Sequence, residues 1–97
     1  MIVRFQIDPM DQDLFEYSVS HEGEMMYADV GLGSIEECIV AASEGLDRDV
    51  VAAEVAYKGI ISGTYALASL ALASAQIAQH AVQTTEAIEE ADGLFSG

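Results

Sequence analysis

One long segment of the chain, residues 59–85, contains no Asp, Glu, Lys or Arg. Thirteen of the 17 acidic residues lie in residues 1–54, and the other four (Glu86, Glu89, Glu90 and Asp92) lie close to the end. A segment without charge is stable in water only when protein covers most of it, because large exposed apolar surfaces associate. This segregation of charge constrains the fold more than any single motif.

The charge-free segment belongs to a longer region of helix-forming residues, 50–91, in which alanine is frequent. Its apolar and small residues recur at alternating spacings of three and four, which is the period of a packed helix. We therefore predict a long alanine-rich helix over residues 49–91. Without a break it would be about 64 Å long, whereas a compact domain of this size is only about 35 Å across.

Residues 59–64 are the natural place for a break in this helix, because Gly59 and Gly63 are poor helix formers. The same two glycines are four residues apart, a spacing that lets two helix backbones approach closely. A hinge and a contact between helices both remain open. Either arrangement leaves apolar surface on a lone chain, so we predict self-association. The predicted oligomer interface consists of Ala56, Ile60, Gly63, Leu67, Leu70, Ser74, Ile77 and Ala81.

The first third of the chain alternates apolar and polar residues, which is typical of half-buried strands. We predict strands over residues 2–8, 14–20 and 24–30, which form an antiparallel β-meander within residues 1–33. The side chains expected on its inner face are Val3, Phe5, Ile7, Phe15, Tyr17, Val19, Met26, Ala28 and Val30.

A short helix is predicted over residues 34–46, because Ser34 and Glu37 have the spacing of a capping box. Gly45 marks its end. The inner stripe of this helix contains Ile35, Cys38, Ile39, Ala42 and Leu46. The predicted fold class is therefore α+β: a three-stranded antiparallel sheet, a short helix and a long or broken helix, all in a single domain.

The net charge of −14 excludes direct binding to nucleic acid, since only Arg4, Arg48 and Lys58 could neutralise phosphates. It favours a basic protein partner instead. The predicted acidic partner-binding surface consists of Asp11, Asp13, Glu16, Glu22, Glu24, Glu36 and Glu37. Carboxylates arranged like phosphates would make the chain a nucleic-acid mimic, an inhibitor of a nucleic-acid-handling protein of the kind found among small phage- and plasmid-type proteins.

The alternative function is structural. In that interpretation the chain is a self-assembling subunit of a filament, shell or bundle, and the acidic residues only keep the assembly in solution.

No pattern in the sequence indicates catalysis, so we predict a non-enzymatic protein without catalytic residues, metal or cofactor. His21 and His80 have no nucleophile at a catalytic spacing. The acidic residues around Asp11 lack the central glycine and the terminal glutamate of the calcium-loop motif.

A cytoplasmic location is the expectation from the single cysteine, Cys38, and from a start without the basic and apolar regions of a signal peptide. Membrane insertion of residues 59–85 is disfavoured, because the segment contains Ser, Thr and Gln and is followed by acidic residues rather than by a basic cluster.

Overall fold

The fold begins with three successive strands that form the predicted antiparallel meander. The computed structural model describes the backbone of residues 1–96 and the side chains of residues 1–93. The elements in chain order are β1 (Ile2–Asp11), β2 (Leu14–His21), β3 (Glu24–Leu32), α1 (Ile35–Glu44), β4 (Ala52–Tyr57), β5 (Ile60–Ala66), α2 (Leu67–Leu72) and α3 (Ser74–Ser96).

The five strands make one sheet in the order β3-β2-β1-β4-β5. The central pair, β1 and β4, is parallel, and the other three pairs are antiparallel. The α+β class is therefore confirmed. The sheet has two more strands than the sequence predicted.

The prediction of a helix over residues 49–91 is wrong for residues 52–66, which form β4 and β5. Lys58 and Gly59 make a two-residue turn with φ values of 53° and 80°, and Tyr57 pairs with Ile60 across it. Positive φ at both central residues is the geometry of a type I′ hairpin. Residues 59–64 are thus neither a hinge nor a contact between helices. Pairing with β1, about fifty positions away along the chain, overrides the helix propensity of alanine here.

The helical prediction is correct from Leu67 onward, but the helix breaks at Ala73. The backbone N–H of Ala73 still donates to the Ser69 carbonyl oxygen at 2.8 Å, and the Ile77 N–H donates to the Ala73 carbonyl oxygen at 2.9 Å. The bend therefore keeps these backbone groups hydrogen-bonded. It allows α2 and α3 to pack against the sheet instead of projecting as one rod.

The hydrophobic core lies between the three helices and one face of the sheet. The strands contribute the alternating residues that the pattern of β1 and β2 predicted, including the fully buried Phe5 and Val19. The buried core residues from the helices are Ile35, Cys38, Ile39, Ala42, Leu70, Ile77 and Ala81. The opposite face of the sheet is not covered by any helix that the structure describes.

The predicted inner face of β3 is wrong, because Met26, Ala28 and Val30 are exposed. An irregularity in the pairing of β2 with β3 places Met26 as an extra residue, which shifts the alternation by one. Tyr27 and Leu32 pack against the core instead.

The helix α1 spans Ile35–Glu44, within the predicted range of 34–46, and both predicted end signals lie at its ends. Ser34 Oγ accepts a hydrogen bond from the Glu37 backbone N–H at 3.1 Å, and Gly45 follows the last helical residue. The Glu37 carboxylate reaches back to the N–H of Gly33, one residue earlier than in the usual capping box, at 2.7 Å.

Candidate interaction surfaces

The seven residues predicted as an acidic surface do not come together in one cluster. Asp11 and Asp13 lie at the turn between β1 and β2, whereas Glu22 and Glu24 lie at the turn between β2 and β3. These turns are at opposite ends of β2, whose eight residues separate them by roughly 24 Å at about 3.4 Å per residue. The antiparallel meander therefore divides the predicted surface between the two ends of the sheet.

Two members of the predicted acidic surface have structural contacts. The Glu37 carboxylate accepts from Gly33, as described above, and Glu36 Oε1 accepts from the Ser74 hydroxyl at 3.3 Å. The second bond joins the start of α1 to the start of α3. Both carboxylates therefore help to hold α1 in place.

The open face of the sheet brings together two carboxylates. Asp8 in β1 lies directly opposite Glu16 in β2, and side chains at such positions have Cβ atoms about 5 Å apart. The Gln6 amide donates to both Asp8 oxygens, each at 3.4 Å, and neither carboxylate forms an ion pair with a described residue. Like charges at this distance repel each other, so a cation between them would be stabilised.

A shallow depression of about 210 Å³ surrounds this carboxylate pair, with Ser18, Ala28 and Val30 among its lining residues. The predicted acidic surface includes Glu16 but not Asp8. No local signal in the sequence indicates this pairing, because it depends on the irregularity at Met10. A regular hairpin with Asp11 opposite Leu14 would place Asp8 opposite Tyr17 instead.

A larger cleft, of about 510 Å³, lies at the other end of the open sheet face. It contains the ion pair between Arg4 and Glu54, with 3.3 Å between Nη2 and Oε2. Ser20 and His21 line its other side. Since Arg4 is already paired with Glu54, the remaining acidic residue of the lining, Glu22, leaves this cleft with a negative charge.

The uncharged segment of residues 59–85 folds into one side of the molecule. It comprises β5, α2 and the first half of α3, and these three elements pack against one another. Leu72 in α2 is 88 % exposed, which is more than any other large apolar side chain among the described residues. We call this side, formed by residues 59–85, the uncharged side.

The eight residues predicted as an oligomer interface are divided by the structure. The buried ones, which are therefore unavailable to another chain, are Ala56, Leu70, Ser74, Ile77 and Ala81. Four of these belong to α2 and α3 and face the sheet or α1, so the predicted helix stripe forms the core of the protomer itself.

The other three predicted interface residues, Ile60, Gly63 and Leu67, are half-buried and lie in or next to β5. Gly63 also has a structural role, since a Cβ atom placed there would come within 2.9 Å of the Tyr65 hydroxyl oxygen. The missing side chain makes room for the Tyr65 ring.

A groove of about 440 Å³ lies between Tyr65 of β5 and the helices α2 and α3. Its lining residues are Tyr65, Ser69, Ala73, Gln76, Ile77 and His80. None of them is acidic or basic apart from His80, whose Nε2 lies 3.5 Å from the Thr84 hydroxyl oxygen.

Among the described residues, no three His, Cys, Asp or Glu side chains are placed to hold a metal ion. The Cys38 thiol is buried, and burial, together with the charges of Glu37 and Asp29, raises its pKa to about 11. The thiol is therefore protonated at neutral pH and is not a nucleophile in the folded chain.

None of the helices in the described part of the chain is long and apolar enough to cross a membrane. Comparisons with protein-family models, curated proteins and solved structures gave no significant match.

Proposed function

We propose that this chain is a non-enzymatic interaction protein that associates with itself through its uncharged side and presents its carboxylates to a basic protein. The observation that carries the proposal is the division of charge, with 17 acidic residues in the chain and none in the segment that forms β5, α2 and the start of α3. Charge of this magnitude keeps proteins apart in solution, except where a surface without charge allows contact.

Self-association is supported by the exposed apolar side chains of the uncharged side, of which Leu72 is the clearest example. Two copies that meet elsewhere place carboxylates against carboxylates. Two copies that meet on the uncharged side avoid this repulsion and cover apolar area that otherwise contacts water.

A basic partner is supported by the carboxylate pair of Asp8 and Glu16 on the open sheet face. A guanidinium or ammonium group between them relieves the repulsion and forms charge-assisted hydrogen bonds. The partner class that fits this chemistry best is a protein with a basic, nucleic-acid-binding groove, in which the carboxylates take the place of phosphates. A cytoplasmic location, where such partners and a reduced Cys38 both occur, completes the proposal.

The two contacts have opposite salt dependence, so one series of measurements tests both. Light scattering with size-exclusion chromatography, at about 0.1 M and about 1 M salt, covers Debye lengths of about 10 Å and about 3 Å. We expect a discrete dimer that becomes tighter at high salt, because the remaining repulsion between the copies is screened. A monomer at every concentration and salt would refute self-association. Open-ended growth would instead support the structural subunit.

Binding to a basic partner is tested with an arginine-rich peptide as the probe, titrated by calorimetry. The double variant D8N/E16Q is compared with E86Q/E90Q, which changes the net charge by the same amount at the end of α3. We expect the sheet-face variant to lose at least about tenfold in affinity, equivalent to about 1.4 kcal/mol, and the control to lose much less. Equal losses would show that only overall charge attracts the peptide.

The mimic proposal needs a further test with proteins captured from a lysate on the immobilised chain. We expect the captured proteins to elute at high salt and to exchange the chain for duplex DNA. Captured proteins whose binding is insensitive to both salt and DNA would contradict the proposal.

A further inference from the structure

One edge of the sheet, β5, carries no charge. Both β3 and β5 are edge strands, so each presents a row of backbone N–H and C=O groups that no neighbouring strand pairs. Natural edge strands avoid pairing with other chains by means of charged side chains and bulges. In β3 there are two irregularities of pairing, and Glu24 and Asp29 lie along the strand. In β5 there is one irregularity, near Ser62, and no charged residue.

The regular part of β5, residues 63–66, lies beside the groove lined by Tyr65 and the helices. A strand added to this edge would direct every second side chain to the helix side of the sheet. The groove provides space there, and its lining from α3 includes Gln76 and Ile77. Backbone groups and groove together fit an extended strand better than they fit a helix.

We propose that the occupant is β5 of a second copy, paired antiparallel about a two-fold axis, so that the two five-stranded sheets continue into one of ten strands. This inference rests on the proposed self-association and specifies its geometry. A two-fold interface uses the same surface on both copies, which β5 satisfies because it is the free edge in each.

The distribution of charge favours a second copy over other partners as the occupant of the β5 edge. Each copy carries a net charge of −14, with Lys and Arg absent from the uncharged side as well as Asp and Glu. A basic protein is attracted to the carboxylates elsewhere on the molecule, whereas a second copy is repelled everywhere except on the uncharged side. Pairing through β5 places the two uncharged sides together and leaves the Asp8 and Glu16 pair accessible for a partner.

Amide hydrogen exchange of the unmodified chain, measured by NMR at increasing protein concentration, tests the pairing directly. We expect alternate amides of β5, those directed away from β4, to exchange at least about tenfold more slowly as the dimer forms, because pairing closes them to water. The edge amides of β3 serve as the internal control and should not change.

A charge variant provides the second measurement. Thr64 is exposed in the regular part of β5 and lies opposite Glu54 of β4, so T64E brings two carboxylates close to the two-fold axis. Because Glu54 also repels the new carboxylate within one protomer, the circular dichroism spectrum of the T64E monomer must match that of the unmodified monomer. We expect its dimer dissociation constant to rise at least about tenfold at about 0.1 M salt and to recover partly at about 1 M salt. The matched variant Q12E adds the same charge at the turn after β1 and should leave the dimer unchanged.

The outcomes separate this inference from the proposed function. A dimer without concentration-dependent protection of β5, or a dimer that T64E leaves intact, would overturn the strand pairing while self-association stands. A chain that stays monomeric at all concentrations would overturn both. Protection of β5 that appears only after another protein is added would overturn the second copy as the occupant. If T64E does not fold, the exchange measurement on the unmodified chain still shows whether β5 pairs with a second copy.

Discussion

Leu70 and Leu72 lie two residues apart in α2 but have opposite environments, since Leu70 is fully buried and Leu72 is 88 % exposed. Replacing Leu70 with alanine removes three buried carbon atoms, which lowers the stability by about 2.4 kcal/mol at about 0.8 kcal/mol for each. A remaining cavity of about 50 Å³ adds about 1.2 kcal/mol at about 24 cal/mol per Å³. We therefore expect L70A to lower the free energy of unfolding by roughly 3.5 kcal/mol, a large part of the 5–15 kcal/mol typical of folded domains.

Urea unfolding followed by circular dichroism, at several protein concentrations, measures this loss. With a slope of about 1–3 kcal/mol per molar urea, the midpoint should fall by roughly 1.2–3.5 M. The control L72A should stay within about 0.5 kcal/mol of the unmodified protomer, as exposed substitutions usually do. Equal losses for the two variants would refute the assignment of Leu70 to the core. A loss of stability for L70A that grows with protein concentration would indicate that Leu70 lies in the oligomer interface, as predicted from the sequence.

Three further predictions concern single contacts. T85V should lower the free energy of unfolding by about 1–3 kcal/mol, because the buried Thr85 hydroxyl donates to the Tyr57 carbonyl oxygen at 3.3 Å. T85S keeps this donor, so an equal loss of stability for T85S would mean that packing matters rather than the hydrogen bond. S34A should lower the free energy of unfolding, measured in urea, by about 1 kcal/mol, and S34D should retain the cap. An S34A variant as stable as the unmodified chain would show that the cap does not stabilise α1. The Cys38 pKa rises from 9.0 to about 11 on folding, so its contribution to stability is complete below pH 9 and is lost as the pH rises through 11. The melting temperature should therefore fall between pH 9 and pH 11, and that of C38A should fall less steeply. Identical dependence of the melting temperature on pH for the two chains would contradict the raised pKa of Cys38.

Elements defined by neighbouring residues were predicted correctly from the sequence. The capping box of Ser34 and Glu37 needs residues only three positions apart, and α1 begins where that spacing requires. The alternation in β1 and β2 likewise reports one buried and one exposed face without any knowledge of the partner strand.

The hairpin of β4 and β5 was missed because its stability comes from residues far away in the chain. The strand β4 pairs with β1 in parallel register, Ala52–Tyr57 against Ile2–Ile7. No local sequence pattern indicates a parallel partner strand. Ala53 and Ala56 suit a helix by propensity alone. In the sheet they are buried, because small side chains fit between the larger ones of adjacent strands.

The candidate surfaces were predicted only in part for the same reason. The sequence identified an excess of carboxylates, but the antiparallel turns decided that Glu22 and Asp11 lie at opposite ends of the sheet and that Asp8 faces Glu16. The sequence also identified the packing stripe of the last helix. Only the tertiary structure shows that Leu70 and its neighbours use this stripe within one protomer.

The division of the chain into a charged part and an uncharged part follows from composition alone, because composition does not depend on the fold. The first three strands and α1 could also be predicted from the sequence, because their signals are local. That the uncharged segment forms an edge strand and two helices, instead of one long rod, depends on contacts between distant parts of the chain. The physical reason is that burying β4 between β1 and β5 satisfies its backbone hydrogen bonds and covers apolar side chains at the same time, and those partners lie too far along the chain for a local pattern to reveal.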